Sequence, residues 1–571
     1  MQSQYDIIES LPLHLRPFVA IQDYQTYTPR DHAIWRFLIH QLAFSLRSSA
    51  HPTYFEGLER TGIGFEAIPR IEDINQKLSE LGWRAVAVDG FLPPAVFMEF
   101  QAIKVLAIAL NIRSFEHMLY TPAPDIIHES AGHAPFLIDI DYAEFLQRFG
   151  ELGMKAIANQ HDMNHYEAVR DLSIVKEDVN SSDEQIKAAE QRVENIQNTK
   201  VDASEANLLA RLHWWTVEYG LVGESDDYKI YGAGLLSSLS ESQSCMDDST
   251  VTKKLLTINS IKSAYDITAQ QPQLFVTQSC RHLSHVLEEY AQHMCCSAGG
   301  SESLLKAHKA GSINTVVMNS GIQISGKISR VSCDAVGNAI YLNTEGATQL
   351  ALDGQELDGH GIDYHAQGFG SPIGRLIGLE RCLSAYSIDE LKRHGIEIGK
   401  LVNLRFLSGI TVSGRLTQVL RREQKNILMS FADCTVRDVD ENVLFDPSWG
   451  MFDMAVGDSI VSVYGGSADQ VNFPIYQAAT NSAHEKVSHS SKQLETFDLY
   501  QQVRDCREQQ QNSSELITNL LARDDVDWLL LFEALELCKD QDQRLAIVDR
   551  LKTEQGDTGI LVDQGLERLK L

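Results

Sequence analysis

The segment YTPAPDIIHESAGHAPF, which runs from Tyr120 to Phe136, is the most informative part of this chain. It contains two histidines, two acidic residues and three prolines. His128 and His133 are five residues apart, whereas the H-E-x-x-H motif of zinc proteases uses a spacing of four to bring both rings to one face of a helix. On a regular α-helix, five residues turn the second ring about 140° away from the first. The spacing therefore excludes the zinc-protease motif. The rings can still converge if the turn is widened, as in a π-bulge, and we hypothesise such a turn, at which Gly132 offers a flexible position.

A second segment supplies a carboxylate in an apolar setting. The sequence RLHWWTVEYGLVGESDDYKIYGAGLLSSLSES begins at Arg211 and places Glu218 among aromatic and aliphatic residues. Because an unpaired buried charge is unfavourable, we expect Glu218 to have a partner. Two imidazoles and one carboxylate form the facial triad typical of non-haem iron(II) sites. The competing interpretation is that both histidines are ordinary hydrogen-bonded residues of a packed helix.

Both segments resemble the pterin-dependent aromatic amino acid hydroxylases, most closely the bacterial phenylalanine 4-hydroxylase type. In that family, Y-T-P-x-P-D-x-x-H-E-x-x-G-H-x-P and W-x-T-V-E-[FY]-G-L carry the iron ligands, and the resemblance covers roughly residues 31–291 of this chain. It implies a mainly helical catalytic domain that uses Fe(2+), a tetrahydropterin (tetrahydrobiopterin or a related pterin) and O2 as co-substrate. The catalytic residues and metal ligands that it implies are His128, His133 and Glu218.

The resemblance also assigns residues to the two organic ligands. The substrate-binding residues that it implies are Arg113, Thr121, Trp214, Gly234 and Ser237. The cofactor-binding residues that it implies are Glu129, Ala210 and Phe91. Arg113 would bind the substrate carboxylate, for which a guanidinium is the natural bidentate partner. Phe91 lies further from Arg113 than is usual in the family, so Phe97 is an alternative to it, and His213 stands where the family usually has tyrosine.

The resemblance also bears on the substrate. Tryptophan hydroxylases tend to have phenylalanine in place of Trp214, and tyrosine hydroxylases have an acidic residue near the position of Val276. We therefore expect a monooxygenase that converts L-phenylalanine to L-tyrosine. Two alternatives stay open, namely a zinc-dependent hydrolase that uses the same histidines and a non-catalytic binding protein on a degenerate hydroxylase scaffold.

Patterns along the chain predict a multidomain α+β fold. Residues 1–300 are predicted to be the helical catalytic domain that the resemblance implies, with a polar insertion at about 154–201 that we expect to be a surface helix or helical hairpin. Short alternating runs broken by glycines predict a β-rich domain of unknown role over residues 301–475. Residues 476–571 are predicted to be a linker and a helical tail, which could be an oligomerisation element of a homo-oligomer.

Composition restricts the partners and the location. The net charge is −29 and no Lys/Arg cluster is present, so we expect binding to neither nucleic acid nor an anionic membrane. No apolar stretch approaches the roughly 20 residues of a membrane helix, and the first residues lack the pattern of a signal peptide. The nine cysteines are odd in number and scattered, which indicates reduced thiols. These features predict a cytoplasmic protein, and the family resemblance implies a small-molecule aromatic amino acid as its partner.

One further histidine cluster lies in the β-rich region. The segment ELDGHGIDYHAQGFGSPIG brings Asp358, His360, Asp363 and His365 close together in the sequence. Imidazoles and carboxylates are ordinary metal ligands. Glycine-rich turns, however, often use Asp and His for local backbone hydrogen bonds, and we favour that interpretation over a second metal site.

Overall fold

The computed structural model describes residues 3–90, 92–119, 124–177, 181–199, 201–224, 226–266, 270–477 and 489–571. Helices dominate the first half and the C-terminal end, and strands dominate the residues between them. The predicted multidomain α+β fold is confirmed, while the domain boundaries near residues 300 and 475 stay a prediction. Within the described ranges, no helix combines the length and the apolar composition needed to cross a bilayer.

The described residues between 3 and 310 form a mainly helical region with two small sheets. Its α-helices are α1 (Gln4–Glu9), α2 (Pro29–Ser45), α3 (Thr53–Arg60), α4 (Ile71–Ser79), α5 (Pro94–Ala102), α6 (Ile140–Gly153), α7 (Gln160–Glu177), α8 (Asp183–Gln197), α9 (Glu205–His213), α10 (Ala233–Leu236), α11 (Glu241–Ser244), α12 (Cys280–Ala291), α13 (Cys295–Ala298) and α14 (Gly300–Ala310). Its strands are β1 (Arg84–Val88), β2 (Val105–Ala109), β3 (Gly220–Gly223), β4 (Tyr228–Ile230), β5 (Thr252–Leu255) and β6 (Gln273–Thr277). Two further segments, π1 (Ile127–His133) and π2 (Trp214–Glu218), are π-helical.

The π-helical segments are held between a sheet and a short helix. Strands β1 and β2 pair in parallel, and the other sheet has the order β4-β3-β6-β5. Strand β3 begins just after π2 and runs parallel to β6, with Leu221 opposite Val276. The backbone N–H of Gly232, at the start of α10, donates to the carbonyl of Gly220 at 3.0 Å. A side chain on Gly232 would lie 2.4 Å from the carbonyl oxygen of Glu218, so this glycine lets α10 approach the end of π2.

The polar insertion forms the predicted helical hairpin, α7 followed by α8. The Ser182 side chain accepts a hydrogen bond from the backbone N–H of Gln185, whose side chain accepts one from the N–H of Ser182. This capping box starts α8, as its sequence pattern predicts. Arg192 of α8 pairs with Asp171 of α7 at 2.5 Å. Most side chains of α8 are exposed, in agreement with a surface hairpin.

Residues 313–465, described without a gap, form two antiparallel sheets and one α-helix, α15 (Ile388–Arg393), besides two short 3-10 helices. Their strands are β7 (Ile313–Met318), β8 (Ile322–Cys333), β9 (Ala339–Leu352), β10 (Gln355–Glu356), β11 (Gly370–Pro372), β12 (Leu401–Arg405), β13 (Thr411–Arg422), β14 (Lys425–Arg437), β15 (Val443–Phe445), β16 (Phe452–Ala455) and β17 (Ile460–Gly465). The first sheet has the order β10-β9-β8-β7-β17, and β11 also pairs with β9. The second has the order β12-β13-β14-β15, and β16 also pairs with β14.

The C-terminal helices pack against the helical region. They are α16 (Ser491–Glu508), α17 (Ser514–Leu521), α18 (Trp528–Leu537), α19 (Gln541–Leu551) and α20 (Gly556–Leu569). The ring of Phe37, on α2, lies 5.1 Å from that of Trp528 and 5.0 Å from that of Phe532. Arg36 forms ion pairs with Glu533 and Glu536 of α18. The C-terminal helices and α2 therefore share one hydrophobic core.

This shared core predicts the effect of Trp528→Ala. Trp528 is 5% exposed and also lies 5.8 Å from the ring of Phe115, so its removal leaves a cavity between α18 and the helical region. We expect a loss of about 3–5 kcal/mol in the free energy of unfolding of that region, measured by urea denaturation. Leu545, on α19, is 53% exposed. Leu545→Ala is therefore the matched control and should change the free energy of unfolding by less than about 0.5 kcal/mol. Equal losses in the free energy of unfolding for Trp528→Ala and Leu545→Ala would show that the C-terminal helices and α2 do not share a core.

Candidate active site

His128 and His133 converge because the turn that carries them is widened. Residues Ile127–His133 are π-helical, and the two Nε2 atoms lie 3.1 Å apart. The predicted π-helical turn is confirmed. Gly132 allows this turn to approach α10 closely, since a Cβ atom on it would lie 2.9 Å from the carbonyl oxygen of Ala233.

Glu218, the last residue of π2, completes a cluster of three possible ligands. Its Oε2 lies 3.3 Å from His128 Nε2 and its Oε1 lies 3.4 Å from His133 Nε2. Burial opposes ionisation, but the two imidazoles hold the pKa of the Glu218 carboxyl well below its ordinary value. Two nitrogen atoms and a carboxylate thus face one point, which is the geometry needed to hold a divalent ion.

Ser237, at the C-terminal end of α10, orients the ring of His128. Its Oγ donates a hydrogen bond to the carbonyl oxygen of Ala233 at 2.8 Å and lies 3.0 Å from His128 Nδ1. Because the serine proton is already donated, the oxygen accepts from Nδ1–H. This tautomer leaves the Nε2 lone pair free to bind an ion, as is usual for a ligating histidine. Ser237 therefore contacts the Nδ1 side of the His128 ring, and the Nε2 side faces the cluster.

Arg113 is buried in a bidentate ion pair with Asp125. Its Nε donates to Asp125 Oδ2 at 2.8 Å and its Nη2 donates to Oδ1 at 3.0 Å. Oδ1 also accepts the backbone N–H of His128 at 3.0 Å. Burial opposes ionisation, but the arginine charge holds the pKa of Asp125 below its ordinary value. Asp125 therefore ties Arg113 to the first turn of π1.

Asp125 was not among the predicted site residues. The available signal was its position three residues before His128, from which an acidic side chain can cap the N–H groups of a helical turn. Its second contact, with Arg113, depends on the path of the chain between the two residues.

Aromatic rings form one wall beside π2. The ring of Trp214 stacks on Tyr219 at 4.6 Å and on Tyr265 at 4.4 Å. Trp214 Nε1 is buried and has no hydrogen-bond partner among the described residues. A Cβ atom on Gly234 would lie 2.9 Å from the Tyr219 ring, so this glycine admits the ring stack. Tyr265 was not predicted, because it lies in no recognisable motif.

Glu129, in π1, lies on another side of the cluster. Its Oε2 is 3.9 Å from His133 Nε2 and, within the described part of the chain, has no hydrogen-bond partner. Burial, partly offset by His133 and reinforced by the charges of Glu218 and Asp125, raises the pKa of Glu129 to about 8. An unsatisfied buried carboxyl of this kind is suited to binding a ligand that donates hydrogen bonds.

The structure shows less about the remaining residues that the sequence assigned to the pterin or to the substrate. Ala210 is half-buried on α9, the helix that leads into π2. Phe97, on α5, lies 6.0 Å from the ring of His213. Thr121 and Phe91 lie outside the described residues.

His213 adds a third imidazole next to the cluster. Its Nδ1 lies 3.8 Å from Glu218 Oε1, and its ring packs against Phe149 at 5.2 Å. Burial lowers the pKa of His213 to about 4, so the ring is neutral at pH 7. No described residue forms a hydrogen bond with its buried Nε2. The residue that departs from the family pattern therefore lies beside the candidate ligands.

Comparison with known proteins identifies the family. The model of the biopterin-dependent aromatic amino acid hydroxylases matches residues 20–190 and 182–297. Phenylalanine-4-hydroxylase of Chromobacterium violaceum is 30% identical over 268 residues, which cover 47% of this chain and 75% of that protein. This chain belongs to the biopterin-dependent aromatic amino acid hydroxylase family. The Pseudomonas aeruginosa phenylalanine-4-hydroxylase is 29% identical to this hydroxylase over 264 residues, which cover 46% of this chain and 84% of that protein.

A solved structure is also similar to this hydroxylase. It is the Chromobacterium violaceum phenylalanine hydroxylase with bound iron(III) and 7,8-dihydrobiopterin, which is 27% identical, covers 50% of this chain and 88% of that chain, and has a TM-score of 0.39. The family model ends at residue 297, before β7. The two antiparallel sheets and the C-terminal helices therefore lie outside the range that the family accounts for.

Gly132→Ala tests the close contact between π1 and α10. The added methyl group would lie 2.9 Å from the oxygen and 3.1 Å from the Cβ atom of Ala233. We expect this overpacking to reduce the free energy of unfolding by about 1–3 kcal/mol and to weaken divalent-metal binding, both measured on the purified protein. Gly64→Ala is the matched control, since nothing lies within 4 Å of its added Cβ atom. Unchanged metal binding in Gly132→Ala would argue against a need for this contact.

Proposed function

We propose that this protein is an iron(II)- and tetrahydropterin-dependent monooxygenase that hydroxylates L-phenylalanine to L-tyrosine. The observation that carries the proposal is the cluster of His128, His133 and Glu218, whose facing atoms are separated by 3.1, 3.3 and 3.4 Å. Ligand atoms about 2.1 Å from one ion and at right angles to each other lie about 3 Å apart. The cluster therefore needs little rearrangement to hold an ion, and its donor set is that of non-haem iron(II) oxygenases.

The residues around the cluster fit a pterin as well. Glu129 offers a buried oxygen without a partner among the described residues, and a reduced pterin ring has N–H groups that could donate to it. Ala210 and either Phe91 or Phe97 are the other residues that we assign to this ligand. When bound, iron and the reduced pterin supply the activation of O2 that aromatic hydroxylation requires.

Arg113 and the aromatic wall support an aromatic amino acid as the substrate. Asp125 engages Nε and Nη2 of Arg113, which leaves the Nη1 donors for a second carboxylate, that of the amino acid. We assign the substrate ring to the side of Trp214, and Thr121 and Gly234 to the substrate backbone. Because Asp125 also holds the backbone of His128, the carboxylate-binding arginine and the metal ligand are positioned together.

Ser237 would contribute by fixing the position of the proton on the His128 imidazole. It accepts Nδ1–H of His128, so the imidazole stays in the tautomer whose Nε2 can bind the metal. We also assign Ser237 to the substrate backbone, the role that the family resemblance implies. The protein's own contribution to the reaction is thus to bind and orient the reactants in a buried site.

Glu218→Ala tests the proposed reaction. With iron(II), tetrahydropterin, O2 and phenylalanine, we expect the wild-type protein to form tyrosine and the variant to lose more than about 100-fold in kcat/KM, since loss of an outer partner of a ligand alone costs about 10–100-fold. Glu144→Ala, at an exposed position of α6, is the control and should keep full activity. Absence of product from the wild type together with tight zinc binding would favour a hydrolase, and absence of both would favour a binding protein.

Arg113→Lys tests the assignment of the substrate carboxylate. An ammonium group cannot keep the two parallel bonds to Asp125 and also bind a second carboxylate in the same plane. We expect KM for phenylalanine to rise by about tenfold or more, equivalent to about 1.4 kcal/mol, with KM for the pterin unchanged in steady-state assays. Arg148→Lys, on the surface ion pair with Glu288, should change neither constant. A rise confined to KM for the pterin would contradict the assignment.

A further inference from the structure

A second cluster of two imidazoles and a carboxylate lies in the β-rich region. His360 Nδ1 is 3.2 Å from His365 Nε2 and 3.9 Å from Asp453 Oδ2. The histidines lie in the loop between β10 and β11, and Asp453 lies on β16 of the other sheet. Asp358 and Asp363, which are close to the histidines in the sequence, are exposed and take no part in the cluster. Both histidines make local backbone hydrogen bonds of the kind expected in a glycine-rich turn, from the N–H of His360 to the carbonyl of Leu357 at 2.8 Å and from the N–H of His365 to that of Gly361 at 3.1 Å. Their rings in addition face a carboxylate from a distant strand.

The distances in this cluster suit a tetrahedral ion. Ligand atoms bound at 2.0–2.1 Å with tetrahedral angles lie about 3.3 Å apart. The separation of the two imidazole nitrogens is 3.2 Å, and all three facing atoms lie within 4.8 Å of one another. A small movement of the carboxylate would complete the geometry.

Strand β9 holds the backbone of both histidines. The N–H of Leu350 donates to the carbonyl of His360 at 3.0 Å, and the N–H of Thr348 donates to that of His365 at 3.2 Å. The ring of His365 is further packed against Phe369 at 5.3 Å. Because the loop is anchored at both positions, the two rings are held in place before any ion binds.

The carboxylate of Asp453 is oriented by a hydrogen bond, but no cationic side chain of the described residues lies beside it. Asp453 is 5% exposed, and the hydroxyl of Ser430, its partner in the register of β14 and β16, donates to Oδ1 at 2.5 Å. In the described part of the chain, no Lys or Arg lies within 4.0 Å of it. A buried carboxylate is normally paired with a positive charge or bound to a metal.

We propose that His360, His365 and Asp453 bind a divalent transition-metal ion, with zinc(II) as the best match to their geometry. The ion would join the loop of the first sheet to β16 of the second and supply the positive charge that faces Asp453. The hydrogen bond from Ser430 then serves to orient a ligating carboxylate, as is usual around bound metals. Three protein ligands leave one position of a tetrahedral ion open, and His360 is only partly buried, which gives the ion access from solvent. This site is separate from the catalytic cluster and does not rest on the function proposed for it.

Metal stoichiometry of the full-length protein tests the proposal. After treatment with a chelator, the protein is titrated with Co²⁺, whose visible spectrum reports coordination geometry, and with Zn²⁺. We expect two equivalents to bind to the wild type and one to the His128→Ala/His133→Ala double variant. In that double variant, Zn²⁺ should still raise the midpoint of thermal unfolding.

The second equivalent and the thermal shift should both disappear when His360→Ala is added to the double variant. His394→Ala is the matched control, because His394 is an exposed histidine of the same region and its removal should leave both effects unchanged. If His360→Ala fails to fold by circular dichroism, Asp453→Asn, which keeps the shape of the side chain, decides the matter. Absence of a bound equivalent in the His128→Ala/His133→Ala variant, or an equivalent that persists when His360→Ala or Asp453→Asn is added to that folded variant, would overturn the proposal and leave a simple hydrogen bond between the two imidazoles.

Discussion

The candidate active site depends on one departure from regular helical geometry, the π-helical turn from Ile127 to His133. On a regular helix, two rings five residues apart would diverge, whereas here their Nε2 atoms are 3.1 Å apart. π-helical turns are rare and are often found at functional sites. This one ends at His133, and the second π-helical turn ends at Glu218, so both widened turns deliver a side chain to the same point.

Helix α10 on one side and Asp125 at its start hold this turn in place. Gly132 lets α10 approach from one side, and Ser237 at the end of α10 fixes the ring of His128. Asp125 caps the start of the turn and holds Arg113. A single carboxylate thus couples the proposed metal ligand to the proposed substrate-binding arginine. The distance between the metal ion and the amino acid would therefore be set before either of them binds.

The same set of donors occurs twice in this chain on different structural supports. In the helical region, the two histidines share a π-helical turn, whereas in the β-rich region they share a loop anchored on β9, and in each case the carboxylate comes from a distant segment. The family match stops at residue 297, so the second cluster belongs to the part of the chain that the hydroxylase fold does not explain. The C-terminal helices lie outside the match too, but they pack directly on α2 through Phe37 and Arg36.

Local patterns in the sequence were enough to predict several elements. The spacing of His128 and His133 required a widened turn, the capping box at Ser182 predicted the start of α8, and alternating runs predicted strands within residues 313–465. Each of these depends on neighbours within a few positions, where periodicity and capping chemistry determine the geometry. The residue types in the two motifs also indicated that His128, His133 and Glu218 would lie together.

Only the tertiary structure decided which distant residues meet. Asp125 joins Arg113, Tyr265 stacks on Trp214, and Asp453 faces His360, although no local pattern links the members of these pairs. The packing of the C-terminal helices on α2 is a contact of the same kind. The physical reason is that such contacts follow from the path of the whole chain and from burial of apolar surface, which is non-directional and leaves no periodic signal in the sequence that would identify the partner.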